Sequence, residues 1–141
     1  MSYDLKIVNG DIQISKDGAL QIVSGNSKLR QDIIKILLTN FGDNKFHQNY
    51  GSAISSIGIA DDQYMAEAEL KSAVISSLNN LMQMQKSQMK RQTVSPSETI
   101  VSILNVEVSR DTIDPRLLNI KLSVLTQQLV ETFDNITIRI A

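Results

Sequence analysis

The stretch that decides the fold covers residues 17–52 and reads DGALQIVSGNSKLRQDIIKILLTNFGDNKFHQNYGS. It opens on Asp17-Gly18, a strong hairpin signal, because glycine tolerates the positive φ that a tight turn demands. Asn9-Gly10 supplies a second such turn upstream. Around these turns apolar and polar residues alternate as in half-buried strands, with the apolar positions at Leu5, Ile7, Ile12, Ile14, Leu20 and Ile22. Residues 3–23 therefore predict a small antiparallel β element.

A helix follows this element. Gly25 breaks the chain, and Asn26 or Ser27 can accept a first-turn backbone N–H as the N-cap. The apolar residues that come next recur at three- and four-residue spacing, which predicts a helix over 27–39. Gly42 marks its end. The segment Tyr50-Gly51-Ser52 then leads into a short helical turn over 52–57.

A much longer helix is predicted further along the chain. Asp61-Asp62 is a start signal, since carboxylates are favoured at the N-terminal end of a helix dipole. Neither glycine nor proline occurs between Gln63 and Val94. We therefore predict a helix over 62–90, about 40 Å long.

Three strands complete the chain after the break at Ser95-Pro96-Ser97. Alternating apolar residues predict an antiparallel sheet of strands 100–108, 117–126 and 133–140, apolar on one side. On the first strand that side holds Ile100, Leu104, Val106 and Val108. The sequence thus predicts a single α+β domain over 1–141. The hairpin element and both helices fall in 1–94, and the three-stranded antiparallel sheet falls in 98–141.

Composition argues against several function classes. The 141 residues carry a formal net charge of −1, so no global field draws the chain onto nucleic acid or an anionic membrane. Three Tyr, three Phe and no Trp are a thin supply for stacking bases or sugars. No cysteine is present to form a disulfide or a thiolate metal site. We expect no cofactor, no metal, no nucleic-acid partner and no membrane partner.

No group of residues forms a recognisable catalytic constellation. Glycoside hydrolysis needs two carboxyl groups that flank one bond, one of them kept protonated by its surroundings. The acidic residues fall instead on turns, helix starts and expected solvent faces, at Asp17, Asp61, Asp62, Glu67, Glu69, Glu98, Glu107 and Glu131. His47 is the only histidine, and no second histidine or cysteine can complete a zinc site with it. We predict a protein that is not an enzyme and has no catalytic residue.

The N-terminal half resembles the gene-product-25-like family, the baseplate wedge and sheath-initiator proteins of contractile phage tails. The residues that carry the resemblance follow the family's order and spacing: Gly18, Val23, Gly25, Gln31, Leu37, Thr39, Gly42, Tyr50 and Gly51. The resemblance implies a structural protein of the tail baseplate in the virion, made in the host cytoplasm. It also implies six copies around the tail tube, with the tail sheath protein, the baseplate wedge proteins and the tube as partners.

The resemblance places the sheath contact on the C-terminal sheet, which it implies is offered to extended arms of the first sheath ring. An open sheet edge carries unpaired N–H and C=O groups with which another strand can pair. The strand at 100–108 and the last strand both lack the proline or dense charge that would blunt such an edge. We assign sheath binding to the last strand, at Phe133, Ile136, Thr137, Ile138, Arg139 and Ile140.

The predicted contact with wedge proteins follows from a segment in which this chain differs from the family pattern. Many family members carry Glu-Pro-Arg just before the first C-terminal strand, whereas this chain has Val94-Ser95-Pro96-Ser97-Glu98 there. We therefore place the wedge contact near the end of the long helix, at Met82, Met84, Met89 and Arg91. Four alternatives stay open: the equivalent subunit of a type VI secretion system, that of a tailocin, a lysozyme-like muramidase, and a small regulatory binding domain that shares the fold.

Overall fold

The computed structural model describes residues 3–8, 11–54, 63–114, 116–129 and 131–139. Two helices, α1 (Gly25–Leu38) and α2 (Gln63–Met89), lie between two β elements. The first element includes four short strands: β1 (Tyr3–Leu5), β2 (Ile7–Val8), β3 (Asp11–Ile12) and β4 (Ile22–Ser24). The second follows a 3-10 turn at Pro96–Glu98 and has three strands: β5 (Ile100–Arg110), β6 (Leu117–Thr126) and β7 (Glu131–Arg139). The predicted α+β class is confirmed.

The short strands meet at a three-way backbone junction, here named the N-terminal junction. β1 pairs antiparallel with β4, and β2 with β3. At the centre the N–H of Lys6 donates to Gln21 C=O, that of Gln21 to Gln13 C=O, and that of Gln13 to Lys6 C=O, at 2.9–3.0 Å. The predicted turn at Asp17-Gly18 is present, with Gly18 at φ +85°. The predicted turn at Asn9-Gly10 lies outside the described residues.

Helix α1 begins two residues earlier than predicted. Its N-cap is Ser24, which makes no side-chain capping bond, and Gly25 takes a φ of +56° as the first helical residue. Asn26, predicted as a cap, instead donates from Nδ2 to Thr132 Oγ1 at 2.7 Å. Helix α2 matches its predicted range over the described residues. The start signal at Asp61-Asp62 and most of the predicted turn over 52–57 lie outside them.

The C-terminal sheet has the strand order β5–β6–β7 and is antiparallel throughout. The β6–β7 ladder is regular from Leu117↔Arg139 to Leu125↔Glu131. The β5–β6 ladder has two register shifts, between Ile100 and Ser102 and between Ile103 and Asn105. Each inserted residue reverses the side on which the following side chains lie. The prediction that Leu104 shares the buried side of β5 is therefore wrong, because Leu104 is exposed and Ile103 packs against the core instead.

One hydrophobic core joins both helices to the inner face of the C-terminal sheet. Helix α1 buries the stripe at Leu29, Ile33, Ile36 and Leu37. Helix α2 contributes Leu70, Ala73, Val74, Leu78 and Leu81, and β6 contributes Leu118, Ile120, Leu122 and Val124. Helix α2 packs on β5, and α1 packs on α2 and on the 3-10 turn. Among the described residues, the N-terminal junction contributes none to this core.

The end of α1 is fastened to α2 through the backbone of Gly51. The N–H of Ser52 donates to Thr39 C=O at 2.8 Å, and Ser52 Oγ donates to Leu37 C=O at 2.7 Å. From α2, Ser77 Oγ donates to Gly51 C=O at 2.9 Å. A Cβ on Gly51 would lie 2.6 Å from the Thr39 carbonyl oxygen, and Gly51 has a φ of +131°. Only glycine fits there, which gives the Tyr50-Gly51-Ser52 motif a structural reason.

We expect Gly51→Ala to lower the free energy of unfolding by about 3 kcal/mol or more. A left-handed backbone costs an L-residue roughly 1–3 kcal/mol, and the new methyl group also meets a backbone oxygen that is held in place. Gly42→Ala is the matched control, since Gly42 has a φ of +87° but open space around it. Urea denaturation of both variants makes the measurement. Equal losses would show that close packing at Gly51 contributes nothing.

Candidate functional site

β7 is an outer strand of the C-terminal sheet. It pairs with β6 on one side, and no strand within the described residues pairs with its other edge. Ile136 and Ile138 point into the core, whereas the exposed Thr137 hydroxyl donates to Asn119 Oδ1 at 3.1 Å. Phe133 and Arg139 pair through their backbones with Ser123 and Leu117. Of the residues predicted to bind sheath, Ile140 lies outside the described residues.

The opposite edge, β5, is less regular. Its two bulges leave Val101 and Leu104 out of the ladder, and both side chains are exposed. Bulges twist and interrupt an edge, which makes it a poorer template for a further strand. The sequence predicts that both outer strands could accept a further strand. The structure distinguishes them, because β7 has an uninterrupted backbone and β5 does not.

A second surface runs along the C-terminal half of α2, here named the α2 groove. It consists of three adjoining cavities of about 250, 510 and 490 Å³ that share Met84. The two outer cavities are lined by Asn80, Gln83, Met84, Ser87, Gln88 and Arg91 of the α2 side and by Phe46, His47, Gln48, Asn49 and Tyr50 of the facing loop. Five of these eleven residues carry side-chain amides, and Arg91 is the one permanent charge among them.

The groove gathers two of the four residues predicted for wedge docking. Met84 lies at its centre and Arg91 at its outer end. Met82 is partly buried and packs against the hydrophobic core instead. Met89 is exposed but does not line any of the three cavities. The separation follows from helical geometry, because residues two apart do not share a helix face.

The innermost cavity is lined by two ion pairs. Lys35 Nζ lies 2.7 Å from Asp4 Oδ2, and Lys28 Nζ lies 2.8 Å from Asp32 Oδ2. Partial burial pushes the pKa of Asp4 up, but hydrogen bonds from Lys35 and from the Leu5 N–H, with the Lys35 charge, outweigh it and lower that pKa. Burial, with the negative charges of Asp32 and Asp4, raises the pKa of Tyr50 to about 12. Asp4 therefore stays ionised and Tyr50 neutral near pH 7, whereas the general acid of a glycosidase needs a raised carboxyl pKa.

Two glutamines hydrogen-bond strand backbones, and the sequence predicts neither role, although Gln31 belongs to the family pattern. Gln31 of α1 donates from Nε2 to Leu5 C=O at 2.8 Å and accepts from Ile7 N–H at 2.9 Å. The buried Gln85 of α2 donates to Glu98 C=O at 2.7 Å and accepts from Ile100 N–H at 2.9 Å. Each side chain thus satisfies a C=O and the N–H two residues later. The available signal for Gln85 is its position on the apolar stripe of α2, four residues after Leu81.

Glu98 lies on a turn, as expected for the acidic residues, but its side chain is buried. It is 1% exposed, and within the described residues neither carboxyl oxygen has a hydrogen-bond partner. It does not line the α2 groove or the fourth cavity, an opening of about 500 Å³ beside Phe41 and α2. Among the described residues no three His, Cys, Asp or Glu side chains are grouped to hold a metal ion. In the same part of the chain, no helix is long and apolar enough to cross a membrane.

Comparison with known proteins places the fold. No protein-family model matches the chain, and no curated protein matches it either. Among solved structures, the chain is similar to a Geobacter sulfurreducens protein described as a "putative tail lysozyme", with a TM-score of 0.62. The two share 13% sequence identity over 81% of this chain and 89% of the other. A likeness at that identity establishes a shared fold.

This likeness contradicts the prediction that the chain is not an enzyme. A protein of the same fold is described as a "putative tail lysozyme", although the residues of this chain suggested no catalytic pair. Fold alone does not assign an activity, because one fold hosts different functions. The prediction is corrected accordingly, and a lysozyme activity becomes a second candidate that experiment must decide.

The lowered pKa of Asp4 predicts a pH-dependent contribution to stability. A group whose pKa is lower in the folded state stabilises the fold above its unfolded pKa, and this stabilisation is lost as the pH falls through the folded value. We expect Asp4→Asn to lower the free energy of unfolding at pH 7, and the difference from the wild type to shrink as the pH drops below about 4. Urea unfolding of both proteins at pH 7 and pH 2.5 checks this. A difference that stays constant with pH would contradict the pairing of Asp4 with Lys35.

Proposed function

We propose that the chain is a structural protein of a contractile-tail baseplate and starts sheath assembly by accepting a sheath strand on β7. The observation that carries the proposal is the regular, outward-facing edge of β7. The fold shared with a tail protein and the resemblance of residues 18–51 to sheath initiators support it. The equivalent subunit of a type VI secretion system or a tailocin would use the same edge, and the neighbouring genes distinguish these settings.

The edge suits strand addition in length and chemistry. Nine residues of β7 extend over roughly 30 Å, and among the described residues no strand pairs with the outer edge of this backbone. Backbone hydrogen bonds supply affinity in such complexes, and outward side chains set the register. Glu131, Asn135 and Thr137 are exposed on the outer face, and of these three only Glu131 is charged.

The α2 groove is the proposed contact with wedge proteins. Protein interfaces are enriched in aromatic residues, methionine and arginine relative to the rest of the surface. The groove holds Met84 and Arg91, with Phe46 at its rim, 92% exposed. Its amides supply donors and acceptors for a partner backbone. The groove therefore replaces the Glu-Pro-Arg contact that this chain lacks.

Thr137→Pro tests the sheath contact. Proline removes a backbone donor and is poorly accepted inside a strand ladder, so we expect the variant to lose binding to purified sheath protein in a pull-down. Val101→Pro is the matched control, because this residue lies in a bulge on the opposite edge, where proline is tolerated. Circular dichroism of both variants verifies that they remain folded.

The outcomes separate the two edges. Loss of sheath binding in folded Thr137→Pro, with binding retained in Val101→Pro, would support β7 as the docking strand. Retention by Thr137→Pro, or equal loss in both variants, would move the sheath contact away from β7. Wedge binding measured on the same variants should not change, because neither residue lines the α2 groove.

A muramidase is the second candidate, and the lysozyme name of the structural neighbour favours it. Such an enzyme is expected to clear a suspension of purified peptidoglycan, followed as turbidity. Its carboxyls would be sought at Asp4 and Asp32, which line the inner cavity. Clearance that disappears in folded Asp4→Asn or folded Asp32→Asn would establish the activity. No clearance by the wild type would reject this candidate.

A further inference from the structure

The N-terminal junction displays its apolar residues to solvent. Five aliphatic side chains that flank the three junction residues are between 39% and 62% exposed, and Leu5 is half-buried beside them: Leu5, Ile7, Ile12, Ile14, Leu20 and Ile22. The junction residues themselves, Lys6, Gln13 and Gln21, are half-buried. This reverses the usual arrangement, in which a small sheet buries its apolar side. The prediction that these apolar residues are the buried members of their strands is therefore wrong.

The six aliphatic residues lie on one face. Leu5 pairs directly with Ile22, Ile7 with Ile12, and Ile14 with Leu20, and directly paired residues project to the same side of a sheet. Within each strand the members are two apart, and side chains two apart also share a side. The pairs therefore form a continuous surface, here named the aliphatic face.

Contacts between the N-terminal junction and α1 fix the orientation of the aliphatic face. The Gln31 amide bonds Leu5 C=O and Ile7 N–H, which flank Lys6, and so holds the bend of the first strand against α1. The ion pair of Asp4 with Lys35 adds a second tie on the same side. A one-residue slip would turn the apolar residues inward, but it would break both ties. The exposure of the aliphatic face is thus specified by hydrogen bonds.

We propose that the aliphatic face docks an amphipathic helix of a partner protein. An apolar sheet face is usually buried against another layer of secondary structure. The three pairs do not lie side by side: β1 pairs with β4, β2 with β3 and Ile14 with Leu20, and they meet where Lys6, Gln13 and Gln21 are joined by backbone hydrogen bonds. Neighbouring strands are about 5 Å apart, so the six side chains that flank this junction form a compact patch. A helix is about 10–12 Å in diameter, so one apolar helix stripe laid over the junction would contact all three pairs.

The charge and the size of the aliphatic face favour a partner helix over a lipid surface and over a second copy of this chain. Residues 3–24 contain Asp4, Asp11 and Asp17 against Lys6 and Lys16, a net charge of −1, so no basic belt attracts anionic lipid. A stable dimer usually buries about 20–30 residues on each side. Six aliphatic residues and their neighbours fall short of that, so the face is too small to hold two copies of this chain together. It suits one patch of a larger contact within an assembly.

Photo-crosslinking in assembled particles tests the inference and captures whichever protein lies against the face. Ile14 is replaced by p-benzoylphenylalanine, and Leu104, an exposed aliphatic residue on β5, receives the same replacement as the control. We expect position 14 to crosslink to a partner segment whose apolar residues recur at three- and four-residue spacing. We expect no such product from position 104. Mass spectrometry of the crosslinked peptide identifies the segment.

A charged residue placed on the aliphatic face measures how much this contact contributes to binding of the partner. Leu20→Lys should abolish the crosslink from position 14 and weaken binding of the identified partner at least about tenfold, the loss typical of an interface anchor. Leu104→Lys is the matched control and should change neither. Sheath binding through β7 should survive in Leu20→Lys, so failure here is distinguishable from failure of the sheath proposal. Melting curves confirm that both variants are folded.

Several results would overturn the inference. A crosslink from position 14 to a second copy, with a wild-type dimer in light scattering that Leu20→Lys dissociates, would identify a self-contact. Flotation of the wild type with phosphatidylglycerol vesicles, lost in Leu20→Lys, would identify a lipid surface. A crosslink to a strand or loop, or equal crosslinking from positions 14 and 104, would reject the helix. No crosslink from position 14 in particles that contain the protein would show that the face stays uncovered.

Discussion

The arrangement of the helices and the β elements depends on two glutamines, one on each helix, that hydrogen-bond the backbone of a strand segment. Gln31 joins α1 to the N-terminal junction and Gln85 joins α2 to the start of β5, each through a C=O and the N–H two residues later. A buried backbone group without a partner costs about 1–3 kcal/mol, so Gln85, whose two bonds are buried, removes two such costs. The bonds of Gln31 are exposed or partly buried and are worth less. Between these two glutamines, the backbone contact at Gly51 fixes the helices to each other. Three polar contacts thus set the order of N-terminal junction, α1, α2 and sheet, and the core fills the space between them.

Gln31 and Gln85 bond the parts of the two β elements that lie against the helices. The parts that face away from the helices are left for other contacts. Gln85 reaches the backbone just before and at the start of β5, the edge that is also interrupted by bulges and packed by α2. β7 lies two strands away and keeps its outer backbone free of any strand among the described residues. In the same way Gln31 occupies the back of the N-terminal junction, and the aliphatic face points outward. The proposed contacts are therefore consequences of where the fold places its internal hydrogen bonds.

The sequence predicts elements whose signal is local and misses features that arise from long-range contacts. Helix α2, strand β6 and the Asp17-Gly18 turn follow from periodicity and turn chemistry within a few residues. The N-cap at Ser24 is missed because Asn26, the better cap by type, bonds Thr132, 106 residues away. Leu104 is misplaced because a bulge reverses the alternation without any local mark. At the candidate sites, periodicity places β7 in the sheet. It cannot show that Met84 and Arg91 share a groove with a loop about 40 residues upstream, or that an alternating pattern faces solvent.

The proposed contacts differ in their physical character, and this bears on how an assembly that uses them is stabilised. Fully burying a Leu or Ile side chain is worth about 1.5–3 kcal/mol, so covering half-exposed members of the aliphatic face contributes on the order of 1 kcal/mol each, with little dependence on salt. The α2 groove relies on amides and Arg91, and the contribution of an exposed charge falls as ionic strength rises. The β7 edge adds main-chain hydrogen bonds, which form only after two strands are aligned along several residues. A partner held first by the aliphatic face and the groove would keep this chain in a fixed orientation. Strand pairing at β7 would then lose less orientational freedom, because these earlier contacts would already have ordered the accepting strand.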